Sequence, residues 1–137
     1  MEKKKSVSKQ NTILWGKVSH AMQVYYRMIG GECLGRSTNC MGRATVRHHH
    51  FHWGNSLPLR LEERNLVPLC TNCHASHHNG YQKTTINYRR AMEIIYGEDW
   101  EDQLIMIERE YIDKTPKEMS EYLKDRLSYY VNLAEVF

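Results

Sequence analysis

Seven of the chain's eight histidines and three of its four cysteines fall between Cys40 and His78. Two runs stand out inside that stretch. One is His48-His49-His50-Phe51, and the other is Cys70-x2-Cys73-His74 with His77 and His78 close behind. Imidazole and thiolate are the strong protein ligands for zinc-like ions, and imidazole is also the usual general base near neutral pH. Together these side-chain types can hold an ion and take a proton from water, which are the needs of a hydrolytic site. Core packing alone has no use for so many of them in under a third of the chain.

The cysteines read as a structural site. Cys70-x2-Cys73 has the spacing that lets two sulfurs reach one ion, and its place at the start of a short helix favours thiolate. Cys33 and Cys40, six residues apart, are the second pair. The expectation is a structural Zn2+ held by Cys33, Cys40, Cys70 and Cys73. In a reducing compartment four cysteines serve better as ligands than as two disulfides.

These groups need elements to carry them. Apolar residues at three- and four-residue steps predict a helix from Thr12 to Ile29, stopped by Gly30-Gly31. A loop over 32–43 leads to a short strand over Ala44–Phe51. A polar loop over Gly54–Arg64 separates it from a second strand, Leu66–Leu69. A short helix over Thr71–His78 ends at Asn79-Gly80. Helices follow over Ile86–Tyr96, with Tyr88, Ala91, Met92 and Ile95 on one stripe, and over Trp100–Ile112. The last begins at Thr115-Pro116-Lys117-Glu118, a capping box with proline at the first helical position. The organisation predicted is a basic flexible arm over 1–10 and a single domain over 11–137. Within it, 30–85 is a metal-bound core and 86–137 a helical extension.

At 137 residues the chain can bury a real core, though a loop-rich segment around 30–80 gains from a structural metal. No apolar run is long enough to span a bilayer, and no signal-type segment follows Met1, so a soluble, cytoplasmic protein is expected. The net charge of +3 hides an asymmetry: residues 1–90 carry 14 Lys+Arg against 4 Asp+Glu, or +10, and residues 91–137 carry 5 against 12, or −7. A positive field around a metal site suits a polyanion, and nucleic acid is the commonest. Arg47, Arg60, Arg64, Lys83, Arg89 and Arg90 are the candidate phosphate contacts.

The full pattern runs Val46-Arg47-His48-His49-His50-Phe51, then Asn65-Leu66-Val67-Pro68-Leu69-Cys70-x2-Cys73-His74-x3-His78. Over about residues 33–80 it resembles the HNH (His-Me finger, ββα-metal) endonuclease family. The resemblance implies an α+β fold with a small zinc-bound ββα core, treble-clef-like, and flanking helices. In the family an apolar residue follows the base histidine and a metal ligand precedes it. Phe51 fills that apolar place, which makes His50 the catalytic base and His49 the first ligand. The triple histidine also allows the pair His48 and His49. Asn65 matches the central asparagine that pins the loop and orients the base. His74 matches the ligand on the helix. His78, one turn on, is the third ligand, with His77 as the alternative. The catalytic cation would be Mg2+, Mn2+ or Zn2+.

Cys33-x6-Cys40 followed by Ala44-Thr45-Val46 resembles small prophage-encoded nucleases. Leu59 to Asn65, Asn79-Gly80, Tyr88-Arg89-Arg90, Gly97 and Trp100 resemble the NinG/Rap group and the Ref-type recombination nucleases. That resemblance implies cleavage of branched or recombination-intermediate DNA in a host cytoplasm. The chain departs from it in the His-rich strand and the wider first cysteine pair. Two rivals remain: a non-catalytic zinc-stabilised module that binds nucleic acid or protein, and a sequence-specific homing or restriction-type nuclease.

Overall fold

The computed structural model describes residues 7–51, 57–111 and 114–136. The elements in chain order are α1 (Val7–Ile29), β1 (Val46–His49), α2 (Leu57–Leu61), β2 (Leu66–Leu69), α3 (Thr71–His78), α4 (Gln82–Tyr96), α5 (Trp100–Tyr111) and α6 (Pro116–Val136). The fold is α+β, mostly helical, with one two-stranded antiparallel sheet. Among the described residues no helix is long and apolar enough to cross a membrane.

The chain divides into two compact units. One comprises Gly30–Glu110; the other joins Met1–Ile29 to Tyr111–Phe137. The reason lies in α1 and α6, whose apolar faces bury Val18, Met22, Leu123 and Tyr130. The Asn11 side chain donates to the Pro116 carbonyl at 2.8 Å, and the ring of Tyr26 sits 6.0 Å from that of Tyr130. Both contacts link like ends, so the two helices run parallel. The capping box forms as predicted: the Glu118 amide donates to Thr115 Oγ1, and the Thr115 amide donates to the Glu118 carboxylate. Those bonds hold the Glu118 carboxyl below its ordinary range. The arm expected over 1–10 is already helical from Val7, and residues 1–6 lie outside the described residues.

In the 30–110 unit, β1 pairs with β2 in the register Val46↔Leu69, Arg47↔Pro68, His48↔Val67 and His49↔Leu66. Main-chain bonds extend the ladder at both ends, Thr45 N to Leu69 O and His50 N to Asn65 O, each 3.0 Å. The first strand is thus shorter than Ala44–Phe51, because Asn65 closes a 3₁₀ turn over Glu63–Asn65 and ends the pairing. The segment read as a polar loop over Gly54–Arg64 contains α2 and that turn, while 54–56 lie outside the described residues.

Leu59, Val67, Leu69, Tyr88, Met92, Trp100 and Leu104 form the core of this unit together with three of the cysteines. On α4, Thr84, Tyr88 and Met92 follow each other at four-residue steps and are buried. Ile95, expected on that stripe, is 58% exposed in the last turn, where Gly97 (φ 112°) ends the helix and turns the chain away. Trp100, the first residue of α5, is fully buried and its indole N–H donates to the Arg64 carbonyl at 2.7 Å.

One close approach holds the loop before β1 against the helices. A Cβ built on Gly35 would lie 2.7 Å from Cys73 Cβ and 2.9 Å from Thr84 Cγ2. Nothing larger than glycine fits between α3 and α4 there. Gly35→Ala should therefore destabilise the protein by about 1–3 kcal/mol through overpacking, read from urea unfolding. Adding Thr84→Ser, which removes the obstructing methyl, should recover part of the loss. Wild-type stability in Gly35→Ala would mean that the loop is free to shift.

Candidate metal centres

Two clusters of ligand-type side chains lie in the 30–110 unit, one of sulfur and one of nitrogen. The first joins Cys33 and Cys40, from the loop before β1, to Cys70 and Cys73 at the start of α3, and all four Sγ atoms lie within 4.8 Å of one another. A tetrahedron with Zn–S bonds of about 2.3 Å separates its sulfurs by roughly 3.8 Å. The four cysteines can therefore hold one structural ion such as zinc, despite the wide gap between Cys33 and Cys40.

The surrounding backbone favours thiolates. The Cys70 amide donates to Cys33 Sγ (3.1 Å), those of Cys73 and Met41 to Cys70 Sγ (3.3 and 3.4 Å), and that of Ser37 to Cys73 Sγ (3.4 Å). The Ser37 hydroxyl lies 3.1 Å from Cys73 Sγ. Burial pushes the Cys70 thiol up, but the amides of Met41 and Cys73 outweigh it and bring it down to about 6. Burial prevails at Cys73, pushed up to about 12, and it raises Cys33 as well. Capture of a dication must expel the protons that burial favours on Cys33 and Cys73.

The second cluster is built from β1 and α3. Ring nitrogens of His48, His74 and His78 all lie within 4.8 Å of one another, and the Nε2 atoms of His74 and His78 are 2.9 Å apart. Metal–nitrogen bonds of about 2.0–2.1 Å place neighbouring donors roughly 2.9–3.4 Å apart, so the trio fits one ion and leaves coordination positions open. His48 is buried, with its ring 5.3 Å from that of His74 and 4.4 Å from that of His77. His77, the alternative third ligand, turns its Nδ1 to the Thr85 hydroxyl at 2.7 Å.

The strand therefore presents His48, not His49, to His74 and His78. Pleating explains this: successive side chains on β1 point to opposite faces, and the buried face takes His48. His49, the last residue of β1, places Nε2 3.0 Å from the Arg60 carbonyl. A carbonyl only accepts, so Nε2 carries the proton and Nδ1 of the neutral ring keeps its lone pair.

His50, expected as the catalytic base, is placed differently. Its Nε2 is 3.0 Å from Glu101 and its Nδ1 is 2.9 Å from the Tyr88 hydroxyl, and Phe51, Tyr88 and Trp100 surround the ring. Both nitrogens are committed within the protein, and only 8% of the side chain is exposed. Burial pushes the Glu101 carboxyl up, but His50 and Arg89 outweigh that and hold it below the carboxylate range. Burial also raises the Tyr88 hydroxyl to about 12, so it remains a donor. Sequence reasoning missed Glu101 and Tyr88. An acid in the first turn of α5 looks like an ordinary dipole complement, and nothing local marks a partner 51 residues away.

Asn65 sits where its type suggested. It is fully buried; Oδ1 accepts from the Phe51 amide at 2.8 Å, and Nδ2 donates to the carbonyls of Leu59 (2.8 Å) and Phe51 (3.2 Å). It thereby ties the end of β1 to α2, whose next carbonyl, at Arg60, holds His49. The candidate phosphate contacts divide. Arg47 bonds the Gly30 carbonyl, Arg64 bonds Glu62 and Gln103, and Arg89 bonds Glu101. Arg60, Lys83 and Arg90 lie on the surface.

Zinc titrated into the metal-free protein should release protons from the sulfur cluster, and affinity should fall as pH drops below neutral. A pH-indicator titration in weak buffer reads this directly. Cys70→Ser should lose zinc and melt at lower temperature; uptake with no proton release would contradict the charge state described for Cys33 and Cys73. No protein-family model, no curated protein and no solved structure matches this chain.

Proposed function

We propose that this chain is a metal-dependent endonuclease of the HNH type that hydrolyses DNA phosphodiester bonds. The observation that carries the reading is the convergence of His48, His74 and His78, with the next residue of β1, His49, placing Nε2 on a main-chain carbonyl. The order β1, β2, α3 and the pinning role of Asn65 add support.

In this mechanism His48, His74 and His78 hold a divalent ion. Bound there, it would supply charge stabilisation for the phosphate and for the departing 3′-oxygen. Three imidazoles suit a zinc-like ion better than magnesium, which prefers oxygen donors. His49 Nδ1 takes the proton of the attacking water, as a general base does. The Arg60 carbonyl stabilises the resulting imidazolium through Nε2–H and keeps the ring from rotating. Asn65 fixes the backbone that presents this carbonyl. The products carry 5′-phosphate and 3′-hydroxyl ends. Branched or recombination-intermediate DNA, the substrate class implied by the NinG/Rap resemblance, belongs to this proposal, as does a phage or prophage origin. The base is His49 in this reading, since both ring nitrogens of His50 face groups of the protein, Glu101 and Tyr88.

The competing reading, a zinc-stabilised binding module without catalysis, draws on the sulfur cluster alone. Nicking of supercoiled plasmid with added zinc, manganese or magnesium separates the two. His49→Ala should slow nicking about a hundredfold or more at an unchanged melting temperature. His50→Ala should instead lower the melting temperature, since it strips partners from Glu101 and Tyr88, and leave the rate per folded molecule within a few-fold. The reverse pattern would return the base role to His50. Absence of nicking with every ion, while DNA still binds, would establish the module.

A further inference from the structure

A cleft of about 430 Å³ opens between the 37–39 stretch of the cysteine loop and the C-terminal end of α3. Ser37, Thr38, Asn39, Ser76, Asn79, Gly80 and Tyr81 line it: three hydroxyl residues, two amide residues, a glycine and one aromatic. Ser37 is turned to Cys73. Among the described residues, the side chains of Thr38, Asn39, Ser76 and Asn79 make no hydrogen bond within the chain, while the Asn39 carbonyl accepts from the Asn72 side chain at 2.9 Å. Tyr81 is 44% exposed, while its amide donates to the Ser76 carbonyl at 2.9 Å and anchors it to the helix end.

The chemistry of this lining is specific in what it omits. No residue of the cleft bears a charge, and the C-terminal end of a helix presents carbonyls, so nothing here offsets the charge of a phosphate. A planar, neutral group with its own donors and acceptors does have partners: an aromatic face on which to stack, and amides and hydroxyls for its edge. A nucleobase outside the duplex has this character, whereas a paired base hides both its edge and its faces. The volume lies within the usual range for small-ligand sites, about 300–1,000 Å³.

Position adds to the argument. Ser76 lies two residues from His74 and two from His78, which puts it on the opposite side of α3 at about 100° per residue. The nitrogen cluster and the cleft are therefore separated by one helix, about 10–12 Å across with its side chains. That is a span of roughly three nucleotides at about 3.4 Å each in a stacked strand, and fewer in an extended one. A strand passing the end of α3 can place a phosphate at His48, His74 and His78 and an unpaired base beside Tyr81.

We propose that this cleft binds an unpaired nucleobase and so selects DNA with a bulge, flap or branch over a continuous duplex; the proposal rests on the nucleic-acid reading above. The test uses the full-length, zinc-loaded protein carrying His49→Ala, the change expected to slow hydrolysis, so that binding is read apart from cleavage. Fluorescence anisotropy compares a labelled duplex carrying one unpaired thymine with the same duplex fully paired. The unpaired form should bind about tenfold tighter, the scale of one base stacked on an aromatic ring. Tyr81→Ala should erase the preference, Tyr81→Phe should keep it, and the doubly exposed pair Asn39→Ala with Asn79→Ala should weaken it. Affinity for the paired duplex should change little in any of them. Equal affinities with Tyr81 in place, or a preference that survives Tyr81→Ala, overturn the proposal. Nicking without preference would sink the cleft alone; preference without nicking under any ion would sink hydrolysis alone; no binding to either duplex would sink both.

Discussion

Three consecutive histidines can take three different environments only because an extended strand turns neighbouring side chains to opposite faces. His48 faces inward and meets α3; His49 faces away and meets the Arg60 carbonyl; His50 returns to the first face, beyond the last paired residue of β1, and meets Glu101. A shift of one residue in the pairing with β2 would exchange all of these at once. The register is therefore the constraint on which the nitrogen cluster depends. Asn65 guards it: its carbonyl accepts the His50 amide and its side chain holds both the amide and the carbonyl of Phe51. Loss of that side chain would leave the part-buried Phe51 amide and the buried Leu59 carbonyl short of partners, at about 1–3 kcal/mol for each.

The second constraint is that one short helix serves both clusters. Cys73 and His74 are adjacent on α3, and Cys73 is fully buried while His74 turns toward the strand. An eight-residue helix with few apolar contacts has little stability of its own. Its N-terminal turn is held by the sulfur cluster, whose other half rides on a loop that Gly35 lets close against Cys73. Ligand rings on such a helix keep their relative positions only as well as that turn is fixed. A structural ion at the four cysteines would thus orient His74 and His78 without touching the substrate.

Local pattern was enough for what local pattern controls. The second strand, α3, the capping box at Thr115 and the cysteine quartet were legible because each rests on spacing within a few residues. The parts that were not legible depend on distant partners. Phe51, apolar and directly after His50, suggested the base by its position. The structure uses Phe51 for packing on His50 and for its main-chain bonds to Asn65. The pairing of α1 with α6 was equally hidden, since an amphipathic helix announces an apolar face and not its partner. Extra helix in α2 arose where the composition Leu57-Pro58-Leu59-Arg60-Leu61 looked like loop.

Charge is the feature whose meaning changes most once the chain is folded. Along the sequence the first 90 residues are strongly basic, but the unit that holds both clusters spans 30–110 and takes in the acidic stretch of α5. Residues 30–110 carry 9 Lys+Arg against 10 Asp+Glu, or −1, whereas the unit of α1 and α6 carries 10 against 6, or +4. Acidic residues therefore offset the basic ones within the unit that holds the nitrogen cluster, and Glu62 and Glu101 occupy Arg64 and Arg89 directly. Non-specific attraction to duplex phosphates scales with the number of cations that meet them, so this unit has little of it to spend. A site of this kind gains selectivity from what it can recognise without charge. Under the proposed function, discrimination would rest on an ion at the three imidazoles and on neutral contacts to exposed bases, which would favour substrates whose bases are already out of the stack.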